Sequence, residues 1–231
     1  MIDRLRAEGA IRPAVVDMSA LVHTAWDLGS PLNTVVTYFQ IVGSEIRVID
    51  CDSDLDLTPV QRVAHMLNKG YLFGSHFLPH DVLATQKSGK TFLNELNEVG
   101  LRNCKAVPRT LDIWVGINRL RQILPRFSFR IPACEHLLEG LSNYHMIRAT
   151  STGLALDEPV HDWSSHYGDS ARVIAEAEAA GMLSSAGSRA NVHRRQVTVR
   201  TGFRGDARDE EPESILDRFF AKPRPNVRVI R

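Results

Sequence analysis

Apolar residues fall first into short unbroken runs and only later into helical stripes. Leu21 to Leu28, Thr34 to Val42 and Ile46 to Cys51 are apolar, rich in β-branched and aromatic residues, and separated by turn signals at Ser30-Pro31 and Gly43-Ser44. They predict an antiparallel meander of three strands. Thr58 then stands where a helix N-cap belongs and Pro59 at the first helical position, so 60–69 is expected to be helical until Gly70. Tyr71 to Leu78 predicts a fourth strand which, being reached through a helix, should lie parallel to its partner. Beyond it the pattern predicts a helix from Phe92 to Val99 closed by Gly100 and a fifth strand at 105–107. A helix over 111–124 with apolar residues at 113, 117, 120 and 124 follows, then a helix from Cys134 to Tyr144. The remaining elements are a hairpin from Tyr144 to Pro159, turning near Thr152-Gly153, and a helix from His161 to Ala180.

The two ends differ in texture. Met1 to Met18 reads as a charged helix or irregular lead-in that Arg12-Pro13 would terminate. Ser184 to Arg231 is rich in Ser, Gly, Arg and Pro, with an acidic stretch from Asp206 to Glu213. Ile215-Leu216 and Phe219-Phe220 are its only means of forming an amphipathic turn, so disorder with one docking helix is expected. The division is a lead-in over 1–19, one domain over 20–183 and a tail over 184–231.

Composition narrows the function classes. The 231 residues carry a formal net charge of +1, so a nucleic-acid partner must be held by a local basic patch. Cys51, Cys104 and Cys134 are far apart and odd in number, which provides neither a disulfide framework nor a zinc pair and fits a reducing compartment. No apolar stretch approaches the roughly 18 residues of a membrane span and no signal core follows the charged N-terminus, so a cytoplasmic protein is expected.

The chemistry concentrates in acids that follow strands. Asp27 lies in Ala25-Trp26-Asp27-Leu28-Gly29, and a carboxylate there is costly to bury unless a cation or donors meet it; a plain turn Asp is the alternative. Asp81 follows the fourth strand directly. If the first and fourth strands are parallel neighbours, the two acids converge at their carboxyl ends, where a divalent cation would relieve their repulsion. On the last helix Asp162, His166, Asp169 and Val173 share one face. HExxH is absent and His161 and His166 are five apart, which disfavours zinc; oxygen-rich ligation suits magnesium or manganese. Ser88-Gly89-Lys90-Thr91 is no phosphate loop, because Ala84 stands where the motif needs a glycine. Lys87 and Lys90 either touch nucleic-acid phosphates or belong to a solvated loop. Arg119 and Arg121 likewise either contact DNA or form a solvated helix face.

This order of elements is the ribonuclease H-like plan: an α/β fold with a mixed five-stranded sheet flanked by helices, plus an added hairpin and the tail. Trp26-Asp27-Leu28-Gly29, Tyr71-Leu72-Phe73-Gly74 with Pro79-His80-Asp81, Gly116-Ile117-Asn118, Leu141-Ser142-Asn143-Tyr144 and Pro159-Val160-His161-Asp162-Trp163 through Ser165-His166-Tyr167-Gly168-Asp169 resemble the C-terminal nuclease domain of the large terminase subunit of tailed bacteriophages. The resemblance covers about residues 20 to 180. It implies a metal-dependent endodeoxyribonuclease that cuts concatemeric viral DNA during packaging, with Asp27, Asp81 and Asp169 holding two Mg2+ or Mn2+ ions. His166, Asp162 and His80 would orient those acids. Double-stranded DNA is the implied substrate; the portal protein, the small terminase subunit and a separate terminase ATPase are implied partners. Large terminases begin with an ATPase domain, so the chain is expected to be a fragment, a split-gene product or a remnant. Two positions depart from the pattern: Leu32 and Asn33 replace acids beyond the first one, and Ser170-Ala171 replaces an aromatic after the last. Another ribonuclease H-like nuclease, such as a resolvase or an RNA-strand nuclease, and an inactive module that binds DNA or the portal are the alternatives.

Overall fold

The computed structural model describes residues 2–13, 16–86, 89–148 and 155–183. The expected tail over 184–231 lies outside them, as does Lys87. The elements in chain order are α1 (Ile2–Ala7), β1 (Ile11–Arg12), β2 (Val22–Asp27), β3 (Val35–Val42), β4 (Glu45–Asp52), α2 (Pro59–Asn68), β5 (Phe73–Leu78), α3 (Phe92–Glu98), β6 (Cys104–Ala106), α4 (Ile113–Ile123), β7 (Phe127–Arg130), α5 (Glu135–Asn143), β8 (Met146–Arg148), β9 (Ala155–Pro159) and α6 (Trp163–Ala179). Short 3-10 turns occupy Pro31–Asn33, His80–Leu83 and Leu124–Arg126.

The main sheet has seven strands in the order β1-β7-β4-β3-β2-β5-β6, and β8 and β9 form a separate antiparallel pair. Its centre matches the sequence expectation: β2, β3 and β4 form the antiparallel meander, and β5 lies parallel to β2 with Ala25 opposite Phe77. The expected five-stranded sheet is extended by two strands. β7 adds parallel to β4 and β1 adds parallel to β7. Both are short, and β7 follows Pro125 in a 3-10 turn without a break in the helical pattern, so neither displays the alternating run that marks a longer strand. Ile2 and Leu5 of α1 are buried in the core on one face of this sheet.

Both faces of the sheet are covered, which explains why the central strands read as continuous apolar runs. Successive residues point to opposite faces. Ala25, Phe39 and Phe77 pack on one side with Leu120, Leu137, Ala171 and Ile174 of α4, α5 and α6, whereas Trp26, Tyr38 and Leu78 pack on the other with Val63, Met66 and Leu96 of α2 and α3. Thr58 and Gln61 form the capping box that starts α2 at the predicted place. Two of the acids that precede it are met by a lysine: Lys69 Nζ lies 2.9 Å from Asp50 and 2.7 Å from Asp52.

Two histidines are buried between β2 and β5. His76 Nδ1 is 2.7 Å from Thr24 Oγ1, and His23 Nδ1 accepts a hydrogen bond from the Ser75 backbone N–H at 2.9 Å. Burial, and then the neighbouring His23, push His76 down to about 4. The unfolded chain binds this proton more tightly than the folded one, so stability is intact above about pH 6.5 and falls as pH drops towards 4. The site is expected to cost about 3 kcal/mol over that window. Denaturant unfolding of wild type and His76→Gln at pH 7.5 and pH 4.5 checks this: the variant should lose markedly less stability on acidification.

Candidate metal centre at the strand ends

Asp27 is the last residue of β2, opposite Val35 on β3. The chain can leave the strand sharply because residue 29 is glycine: a Cβ there would sit 2.8 Å from Asn33 Cβ in the following 3-10 turn. Leu32, at a position where the resemblance would place acids, is exposed on that turn. Asp169 comes from the middle of α6, which is docked on the sheet by its neighbour. Ser170 Oγ donates to the Ala25 carbonyl oxygen at 3.0 Å and lies 2.8 Å from Thr37 Oγ1. Both Ser170 and Ala171 are buried, so these small residues bring the helix close to β2 and β3 and carry Asp169 to Asp27.

The two carboxylates feel each other. Burial first, and then the charge of Asp169, push Asp27 up to about 6, while His166 and Arg172 pull the other way. Asp169 is also raised, by burial, against the lowering effect of Arg172, His166 and His161. Burial and the charge of Asp169 push the Tyr144 phenol up to about 12. His166 Nδ1 lies 2.9 Å from Asp27 Oδ2. Arg172 Nη2 lies 2.9 Å from Asp169 Oδ1, yet that buried oxygen accepts no hydrogen bond of proper geometry among the described residues. A pair of desolvated, mutually repelling carboxylates with an unsatisfied oxygen is a donor set that fits a hard divalent cation.

Asp81 stands apart from this pair. It occupies the 3-10 turn after β5, on the neighbouring parallel strand as expected, but is exposed and lines a cavity beside Gly29. Among the described residues no group of three or more His, Cys, Asp or Glu side chains gathers to hold a metal ion. The strand order delivers Asp81 to the same edge of the sheet as Asp27.

The other candidates divide. His166 contacts Asp27 directly. Asp162 is the N-cap of α6, accepting from the Ser164 N–H at 2.8 Å and the Ser164 hydroxyl at 2.6 Å, which is a helix-starting duty. His80 is exposed on the Asp81 turn. Lys90 pairs with Glu98 at 2.8 Å. Arg119 holds α4 to α6 through Glu176 at 2.5 Å and also donates to Thr110 Oγ1 in the loop before α4 at 3.1 Å, while Arg121 is exposed with Asn118 beside it at 3.4 Å. Arg172 is an electrostatic neighbour of the acids that the motif reading passed over, and His161, weighed there only against zinc, is another. Arg172 was legible, because i,i+3 from Asp169 on a helix brings the charges together.

No protein-family model matches this chain, and no curated protein matches it. Solved structures do. The nuclease domain of the large terminase from bacteriophage SPP1, with bound Mn, aligns over 73% of this chain and 95% of its own length at 11% identity, TM-score 0.54. The P22 large terminase nuclease domain aligns over 78% and 90% at 19% identity, TM-score 0.55. A large terminase from a thermophilic bacteriophage aligns over 72% of this chain at 13% identity, TM-score 0.55. At these identities the likeness establishes the fold: this is the ribonuclease H-like α/β fold of large terminase nuclease domains. The chain spans only 42% of the thermophilic phage protein.

Proposed function

We propose that this chain is a metal-dependent endodeoxyribonuclease of the terminase type, acting on double-stranded DNA. The observation that carries the reading is the buried Asp27–Asp169 pair at the carboxyl end of β2, in the fold of a nuclease domain solved with bound Mn. Asp27 and Asp169 would hold the cation, with Asp81 joining from the adjacent turn; bound there, a pair of such ions would supply the means to activate a water and to stabilise the leaving oxygen of a phosphodiester. The chain's own residues set the stage. His166 holds Asp27 in one rotamer, and Arg172 offsets the charge of Asp169 while the site is metal-free. Backbone phosphates position a duplex without specifying bases, so sequence-independent cutting of concatemeric DNA is the activity this arrangement supports. In a packaging machine the partners would be an ATPase, the small terminase subunit and the portal protein, with Mg2+ or Mn2+ as cofactor. A DNA-binding module without catalysis is the second reading, favoured by the separation of Asp81 from the other two acids.

Supercoiled plasmid, an RNA–DNA hybrid and a four-way junction, each incubated with the purified chain and Mn2+ or EDTA, test the reading. Metal-dependent nicking of plasmid without ATP is expected; cutting confined to the hybrid or the junction would overturn it. Metal should also stabilise the fold by linkage, by about 2.7 kcal/mol at a hundredfold excess over Kd. Thermal melts with and without Mn2+ should show a rise of several degrees in wild type and a smaller one in Asp81→Asn. An equal rise in both would remove Asp81 from the ligand set.

A further inference from the structure

α6 carries a row of charges where it packs on α4. Asp169, Arg172 and Glu176 are spaced by three and four residues, so they stand one above another on a single helix face. Gly116 of α4 lets the two helices close over this row: a Cβ there would sit 2.6 Å from Arg172 Cδ and 2.7 Å from Glu176 Oε1. The arginine stem and the Glu176 carboxylate thus meet over the bare glycine. The two acids of the row are incompletely satisfied. Arg172 Nη2 lies 2.9 Å from Asp169 Oδ1, in a geometry that leaves this buried oxygen without a hydrogen bond. Glu176 is only 7% exposed; its Oε2 pairs with Arg119 Nη1 at 2.5 Å, but its Oε1 is buried with no hydrogen-bond partner among the described residues. An orphaned carboxylate oxygen in the interior is costly, and a guanidinium stem already passes beside it.

We propose that Arg172 is the exchangeable counter-ion of the metal centre: its guanidinium neutralises Asp169 in the metal-free protein and transfers to Glu176 Oε1 when a divalent cation takes Asp169. The stem need not move, because Cδ is already beside Glu176, and an arginine one turn before a glutamate on a helix reaches it readily. Only the last torsions turn. Arg172 borders a cavity of about 190 Å³ with Trp114, Ile117, Tyr144 and Gly168, which gives the guanidinium room. Such an exchange holds down the repulsion between Asp27 and Asp169 without metal, and leaves no half-buried guanidinium unpaired once metal is bound. It also selects for charge. A monovalent ion brings Asp169 no more charge than the guanidinium it would displace, whereas a divalent ion brings more. Arg172 is therefore a specificity-determining residue that acts through Asp169. This inference rests on the nuclease reading, in which Asp169 is a metal ligand.

Mn2+ binding to the full chain without DNA, read by isothermal titration calorimetry, tests the exchange on wild type, Arg172→Gln, Glu176→Gln and the double variant. Arg172→Gln should bind Mn2+ roughly 3- to 10-fold more tightly, because no cation has to leave Asp169. Glu176→Gln should bind it more weakly by a similar factor, since the displaced guanidinium finds no second carboxylate; its amide oxygen can still accept from Arg119. In the double variant the effect of Glu176→Gln should vanish. An effect of equal size with and without Arg172 would be long-range attraction alone and would overturn the exchange. So would an Arg172→Gln protein that binds Mn2+ no more tightly than wild type. Crystal structures of wild type grown in EDTA and in Mn2+ guard against a Glu176→Gln chain that fails to fold. The guanidinium should sit on Asp169 in the first and within hydrogen-bond distance of Glu176 Oε1 in the second. A bound ion with Arg172 still on Asp169 overturns the exchange and leaves the nuclease reading standing, whereas no Mn2+ bound by wild type or any variant overturns both.

Discussion

Asp27→Asn is expected to make the metal-free protein more stable and to abolish cleavage. Burial and Asp169 raise the Asp27 pKa to about 6, above its unfolded value of 3.8. The folded state therefore binds this proton more tightly, and the fold loses stability as pH rises through 6. By pH 7.5 the penalty is fully felt, and an amide, which carries no charge, escapes most of it. The Asn oxygen still accepts from His166, so the local geometry survives. Melting in EDTA at pH 7.5 should place the variant several degrees above wild type, with the gap closing at pH 4.5. Plasmid nicking should fall by more than the roughly 10- to 100-fold that loss of an orienting partner costs, whereas His166→Ala should stay inside that range. A variant that nicks plasmid at near the wild-type rate in Mn2+ would dismiss Asp27 as a ligand and leave the proposed nuclease without its mechanism.

Gly140→Ala should damage both stability and cleavage, although it lies on α5, away from the acids. A Cβ at residue 140 would sit 2.4 Å from Tyr167 Cδ2 and 2.7 Å from Tyr167 Cβ, and Tyr167 is only 4% exposed, so the ring cannot swing aside. The helices must separate instead. Overpacking of this kind costs about 1–3 kcal/mol or more, and the better helix propensity of alanine returns at most about 1. Tyr167 is two residues before Asp169, so a shift of α6 moves the carboxylate; a misplacement of about 1 Å can cost on the order of a hundredfold in rate. The melting temperature should drop by roughly 5 °C, and nicking at 25 °C, where the chain is still folded, should fall at least tenfold. Glu139→Ala, on the exposed neighbour, is the control and should change neither. A Gly140→Ala protein with wild-type melting and activity would show that α6 is not held by this contact.

α2 and β7 differ in what their local sequence can announce. α2 begins where Thr58, Pro59 and Gln61 say it must, because a cap satisfies orphan N–H groups within a few residues of itself. β7 is four residues long and directly follows a helix and a proline turn, so its membership in the sheet depends on β4, some eighty residues earlier, offering a free edge. The same contrast divides the site. Asp27 and Asp169 were legible as acids on a strand end and a helix face. Arg62 of α2, which lines the same cavity as Asp81, was not, since one arginine on an amphipathic helix has no local mark of burial; only the carbonyl oxygens of Pro31 and Leu55 make it an interior cation.

By itself the sequence determined the central strand order, the helix starts and the delivery of Asp27 and Asp81 to the same edge of the sheet, because hydrophobic period, caps and the crossover rule act over short stretches of chain. Only the tertiary structure decided which acids meet. Ser170 bonding to Ala25 and Tyr167 seated on Gly140 bring Asp169 to Asp27, while the 3-10 turn after β5 holds Asp81 beside the Arg62 cavity. Those distances are set by close packing between elements remote in sequence, where a single methyl group is enough to move a carboxylate, and no local pattern encodes a fit of that fineness.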